Sequence, residues 1–260
     1  EIPDRFNLVD YFVDRHLSKG RGDKTAIVSG NRHLSYSTVA ERVNRAGNAL
    51  KSLGVQAEQR VLLVIPDIPE FVEAYFGAMK IGAVAVPTST ALRAADYGYF
   101  LVESRAPVAI VHSSLLSEFE AALVDQRYCE HVVVCGDPVD GYLNWNARLD
   151  ESSPLLECAQ TSKDDVAFWL WTSGSTGPPK AAVHLHQDWN HCCEHYARGV
   201  LDISENDVTF SSSKLFHAYG LGNAMTFPLW TGSTAILDDR RTAPAGCRTP
   251  AGVVGAAGRH

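Results

Sequence analysis

The chain has 260 residues, 45% of them hydrophobic and 20% charged, with a formal net charge of −7. That balance fits a soluble globular protein and argues against a disordered tail, a collagen or a coiled coil. The acidic excess excludes the basic patch of a nucleic-acid binder, and no apolar run reaches the roughly 18 residues a membrane span needs.

The first residues, Glu1 to Arg5, do not form a basic region followed by an apolar one, so no signal peptide is expected. Apolar runs then recur. Val61–Ile65, Ala83–Val86, Val108–Val111, Val132–Cys135, Val166–Trp171 and Thr234–Leu237 read as strands that are apolar on both faces. Such strands suit a parallel sheet covered by helices. Helices are expected between them. One starts near Thr38, where Thr38 and Glu41 fit a capping box, continues through Val39, Val43, Ala46 and Leu50, and stops at Gly54. A second runs from Pro69 to Ile81 with Phe71, Ala74, Tyr75, Ala78 and Met79 on its apolar side, and a third covers Ala95 to Ser104. Alternating strand and helix implies an α/β fold with right-handed crossovers.

Residues Asp137 to Asp164 are rich in Pro, Gly, Ser and Asn. They read as a hairpin and loops, and as a boundary between a first α/β subdomain, residues 1–160, and a second, residues 161–240. From residue 241 to 260 there is no aromatic residue, acid, Leu or Ile. That composition cannot offset its ordering entropy. It reads as a disordered tail, the product of a shifted frame or a truncation; a natural flexible tail is the other reading. The six cysteines form no CxxC pair, which points to thiols in a reducing, cytoplasmic compartment.

The chemistry concentrates after the strand at Val166–Trp171. Thr172, Ser173, Gly174, Ser175, Thr176 and Gly177 form a loop of small and hydroxylated residues that Lys180 closes. Small residues let backbone amides approach an anion, hydroxyls add donors, and the lysine adds a charge. It is not a Walker A loop, because Pro179 precedes Lys180 and Ala181 follows. Nor is it a nucleophile elbow, because Ser173 stands where a glycine is needed.

The string Thr172 to Gly177 with Pro179 and Lys180 resembles the phosphate loop of the adenylate-forming superfamily, which includes acyl-CoA synthetases, peptide-synthetase adenylation domains and luciferases. Ala181 departs from the glycine usual there. Phe76 to Pro87 resembles that family's helix–strand segment, and Lys214 to Asn223 resembles its aromatic motif beside the acyl pocket. The Ala218–Asn223 portion is most similar to benzoate-CoA and other aryl-CoA ligases, although His217 departs from the aromatic residue of benzoate ligases.

The resemblance implies the N-terminal part of the adenylate-forming fold, truncated, with parallel-rich sheets flanked by helices. It implies an AMP-forming acid–thiol ligase whose substrates are a small aromatic carboxylic acid, ATP with Mg2+, and coenzyme A. Residues 172–177 and Lys180 would hold the β- and γ-phosphates. Lys180 and His217 would serve catalysis, with His217 near the carboxylate. His217, Ala218, Tyr219 and Gly220 would form the acid site. The family's later motifs lie beyond this chain, which implies a fragment with little or no activity alone. A fatty acyl-CoA synthetase fragment and a non-enzymatic remnant are the alternatives. No nucleic-acid or membrane partner is expected.

Two other patterns compete. His184, His186, His191, Cys192, Cys193 and His195 crowd one segment, but without an HExxH motif or a second ligand cluster they read as a polar helix face, and no metal site is expected. Asp164–Asp165 and Asp238–Asp239 read as solvated loop acids, since neighbours on a strand point apart.

Overall fold

All six apolar runs form strands. The computed structural model describes residues 2–124, 126–172 and 177–240. The strands are β1 (Thr25–Ser29), β2 (Arg32–Ser35), β3 (Arg60–Val64), β4 (Val84–Pro87), β5 (Val108–His112), β6 (His131–Cys135), β7 (Leu143–Asn144), β8 (Val166–Trp171), β9 (Ala181–Leu185), β10 (Val208–Phe210) and β11 (Thr234–Leu237). Seven build one sheet in the order β7-β6-β5-β3-β4-β8-β9, in which only β9 runs antiparallel to its neighbour. The other four form the order β10-β11-β1-β2, with β2 antiparallel.

Strand alternation divides the core. Val61 and Leu63 enter one apolar cluster, while Leu62 and Val64 enter the cluster on the opposite face. Tyr97, Phe100 and Leu101, from the helix Ala94–Ser104, cover the second face. The helix Pro69–Lys80 covers the first, and all twelve of its residues are buried. It crosses the helix Tyr36–Ser52 at close range: a Cβ on Gly77 would lie 2.6 Å from Ala46 Cβ and 3.0 Å from the Gly47 nitrogen. Only the missing side chain permits that approach.

Two expectations need correction. The cap of the helix Tyr36–Ser52 is Ser35, whose hydroxyl accepts from the Thr38 amide at 3.1 Å, not Thr38 itself. Its stop at Gly54 does form, with a left-handed φ of 82°. Residues 137–164 hold no hairpin: β7 pairs in parallel with β6 and leads into the helix Trp145–Asp150, capped by the Asn144 side chain. Residue 160, the expected limit of the first subdomain, lies between strands that pair with one another. β8 pairs with β4 and β1 pairs with β11, so both sheets draw strands from either side of that point. Periodicity within one segment cannot report such long-range pairing. The tail expected over residues 241–260 lies outside the described residues. No helix among the described residues is long and apolar enough to cross a membrane.

Two histidines tie the N-terminal segment to the rest. The His16 Nε2–H donates to the Leu229 carbonyl at 2.6 Å, and His186 Nδ1 accepts from the Leu8 amide at 3.2 Å. Both are buried, and burial pushes each imidazole down to about 4. The folded protein thus holds both rings neutral, while the unfolded chain protonates them below its ordinary value of about 6.5. Between those values the unfolded state binds more protons, so stability falls as pH falls through that window. Urea unfolding should therefore lose on the order of 3 kcal/mol per histidine between about pH 6.5 and 4. His186→Gln should flatten the pH dependence of the unfolding midpoint.

Candidate active site

β8 and β9 form an antiparallel pair in which Trp171 faces Ala181. The segment expected to grip phosphate connects them in sequence. Its base is closed twice: the Thr172 amide donates to the Lys180 carbonyl at 2.9 Å, and the Lys180 amide donates to Thr172 Oγ1 at 3.1 Å. Because Thr172 Oγ1 accepts there, its own proton is left to donate outward. Thr172, Gly177 and Lys180 are exposed, and no carboxylate among the described residues pairs with Lys180. Ser173, Gly174, Ser175 and Thr176 lie outside the described residues.

The returning limb of this loop is anchored from the helix Ala94–Ser104. Tyr99 donates its hydroxyl to the Pro179 carbonyl at 2.8 Å, and Phe100 packs 4.3 Å from the Trp171 ring. Nothing in the local sequence marks Tyr99, since its partner is a backbone atom 80 positions away.

The second expected segment is held from below. The Leu215 amide donates to Asp67 Oδ1 at 3.1 Å, and Lys214 Nζ lies 3.6 Å from Asp67 Oδ2. Lys214 Nζ also donates to the Asp238 and Arg240 carbonyls. His217 stands in extended backbone at the start of the short helix Ala218–Leu221. It is exposed, its ring lies 4.4 Å from that of Phe216, and partial desolvation holds its imidazole below the ordinary value. Gly220 is buried and pressed on the preceding turn: a Cβ there would sit 2.1 Å from the Lys214 oxygen and 2.4 Å from the Ser213 oxygen.

A cavity of about 650 Å³ lies beside the second segment. Phe168 and Leu170 of β8, with Trp189 and Phe227, give it apolar walls, and Ala218 and Tyr219 also line it. Tyr219 is 68% exposed. His217 and Gly220 do not line this cavity. Trp189 is fixed by donating its indole N–H to Tyr75 Oη at 3.1 Å and by stacking on Phe168 at 5.7 Å. The polar lining includes His184, Asp188 and Asn223, none of which was singled out as an acid-site residue in the sequence.

A larger cleft of about 870 Å³ opens beside Arg15, Arg21 and Glu205 and shares His191 with the cavity. Its cations are partly neutralised by the Arg21–Glu205 pair, and among the described residues neither Thr172, Gly177 and Lys180 nor Ala218 and Tyr219 border it.

The histidine- and cysteine-rich segment is dispersed by the fold. His186 is buried on Leu8, Cys193 is buried, and the rings of His191 and His195 stand 6.3 Å apart. Among the described residues no three His, Cys, Asp or Glu are placed to hold a metal ion.

Fold and site define a class: an α/β protein that carries a hydroxylated, lysine-closed loop and an apolar cavity on one strand. The chain belongs to the AMP-binding enzyme family, whose model matches residues 14–251. It is 44% identical over 246 residues to a benzoate–CoA ligase of Thauera aromatica, covering 94% of this chain and 46% of that protein. The crystal structure of the anthranilate CoA ligase AuaEII with anthranoyl-AMP superposes with a TM-score of 0.89 at 35% identity, covering 92% of this chain and 46% of that one. A benzoate CoA ligase from Burkholderia xenovorans LB400 gives 0.83 at 38% identity, covering 91% and 46%. The fold is thus that of the adenylate-forming enzymes, and the chain spans about half the length of the relatives it matches.

Two substitutions test this geometry. Gly220→Ala should lower the unfolding free energy by about 3 kcal/mol, read from urea denaturation, because backbone oxygens occupy the space for its Cβ. Tyr99→Phe should free the loop limb and raise the rate of trypsin cleavage after Lys180 by roughly fivefold, the worth of one hydrogen bond.

Proposed function

We propose that this chain supplies the phosphate loop and acid pocket of an AMP-forming ligase that joins an aromatic carboxylic acid to coenzyme A. One observation carries the reading. The strand that leads into the loop, β8, also walls the apolar cavity through Phe168 and Leu170, so one element bears on both. The similarity to benzoate-CoA ligases supports the same acid class.

In the proposed reaction a carboxylate oxygen attacks the α-phosphorus of ATP, pyrophosphate leaves, and an acyl-adenylate forms. The coenzyme A thiol then attacks the acyl carbon, losing its proton, and AMP leaves. Chemistry of this kind depends on positioning and charge stabilisation. Thr172, Ser173, Gly174, Ser175, Thr176, Gly177 and Lys180 are assigned to the β- and γ-phosphates. Thr172 can donate its hydroxyl, and Lys180 presents an exposed ammonium. Ala218 and Tyr219 shape the pocket. His217, whose partial desolvation lowers its affinity for protons, is assigned to the carboxylate end, and Gly220 to the backbone shape that presents the motif. Mg2+ would arrive on the triphosphate and offset its charge; no acidic cluster among the described residues is set to hold it. The five described cysteines are free, which supports a reducing, cytoplasmic setting.

Calorimetric titration of the chain with benzoate and with decanoate tests the acid class. Benzoate should bind saturably and decanoate should not. Ala218→Trp, which puts a large side chain into the cavity, should weaken benzoate at least about tenfold. Equal binding of the two acids would overturn the aromatic reading.

A further inference from the structure

The cleft of about 870 Å³ holds a cation that the fold leaves without an acid. Arg15 sits against two rings of its lining. Its guanidinium carbon lies 5.1 Å from the Tyr11 centroid and 5.2 Å from that of Trp230, and it donates to the Trp230 carbonyl. Its Nε is buried and has no hydrogen-bond partner among the described residues, and no carboxylate among them forms an ion pair with it. Burial first of all, helped by the Arg21 charge, pulls this guanidinium below its ordinary value, and the Asp10 charge opposes that only weakly. Ring faces attract a cation but supply no counter-charge. A partly buried charge without a partner is costly, so an anion beside it is stabilised.

Lys19 is exposed on the same cleft. The Arg15 charge, with desolvation and the Arg21 charge, holds its ammonium below the ordinary lysine value, while Glu205 opposes the shift. Among the described residues it makes no ion pair. Arg21 is paired with Glu205 through both Nε and Nη2. Three cations of one segment thus face one acid, a local surplus of two charges. Elsewhere on the cleft Arg198 and Glu194 oppose each other at 3.7 Å, and Asp202 is the remaining acid.

We propose that Arg15 and Lys19, with Arg21 beside them, form a binding site for a phosphate dianion, free or as the end group of a small phosphate compound. A surplus of two matches the charge of that dianion, whose oxygens accept from a planar guanidinium and an ammonium at once; a carboxylate brings half the charge. None of the described residues assigned to the ligation borders this cleft, so this site and the ligase reading are tested separately.

The NMR signal of the Arg15 Nε–H group, assigned with Arg15→Lys, reads the site directly at about pH 7.5, where phosphate is mostly dianionic. Inorganic phosphate should shift it saturably at constant ionic strength, and chloride should not. Lys180→Gln, which removes the loop cation, should leave that titration unchanged. Lys19→Gln, at an exposed position, should weaken phosphate roughly tenfold. Acetylation of Lys19 by acetic anhydride, read by mass spectrometry, should slow in phosphate while that of the exposed Lys51 does not. AMP separates the two sources: binding tighter than free phosphate assigns the site to a nucleotide phosphate, binding weaker assigns it to the inorganic ion, and both uphold it. A shift that chloride reproduces, a shift that Lys19→Gln leaves intact, or no shift at all overturns the proposal.

Discussion

A helix buried on every side must neutralise every charge it carries, and the site depends on how this protein does so. The helix Pro69–Lys80 holds Glu70, Glu73 and Lys80 among its twelve buried residues. Arg32 grips Glu70 with two bonds, at 2.7 and 3.1 Å. Arg42 grips Glu73 in the same forked way and also donates to Asn146. Lys80 reaches both oxygens of Asp14 at 2.7 Å. Buried pairs contribute little net stability against an apolar replacement, but losing one partner costs about 3–5 kcal/mol. Driving force comes instead from Phe71, Tyr75, Phe76 and Met79, all fully buried, at roughly 1.5–3 kcal/mol each. The ion pairs fix where the helix sits. They draw on β2, on the helix Tyr36–Ser52 and on the N-terminal helical segment, so those elements share one register.

That register is passed on to the cavity. Tyr75 is fully buried, and its oxygen receives the Trp189 indole N–H. Just before the helix, Asp67 receives the Leu215 amide and faces the Lys214 ammonium. One rigid element therefore places a wall of the cavity and the start of the segment that carries Ala218 and Tyr219. Both groups come from distant parts of the chain, and neither holds its position by local structure. Burial raises the Asp67 carboxyl, while the Leu215 amide and Lys214 oppose that shift. This acid is thus another charge whose cost the site's own backbone offsets.

β8 joins the two halves of the chemistry. Its parallel edge meets β4, its antiparallel edge meets β9, and its end opens into the hydroxylated loop. A turn between two paired strands keeps a short base, and Thr172 and Lys180 close it with two backbone donors. The Lys180 side chain stays exposed. Phe168 and Leu170 on the same strand face the cavity. One strand thereby leads into the loop and walls the cavity.

The sequence alone determined the strands and the chemistry of the loop. Both are local: apolar runs such as Val108–Val111 read directly as buried strands, and Ser, Thr, Gly and Lys in a row carry their donors wherever the chain places them. It also marked Ala218 and Tyr219 through a resemblance of motif. Tertiary structure decided what is paired across long separations. β1 stands beside β11 in one sheet and β8 beside β4 in the other, pairings across residue 160 that composition does not report. Ser35 caps where Thr38 was expected, because two hydroxyls so close in sequence fit the same pattern and only backbone geometry separates them. His184, Asp188 and Asn223 joined the cavity, whereas His217 stayed outside its lining and Gly220 turned inward. A side chain's neighbours are set by the register of strands and the burial of helices. Those depend on contacts across the whole chain, which no window of sequence contains.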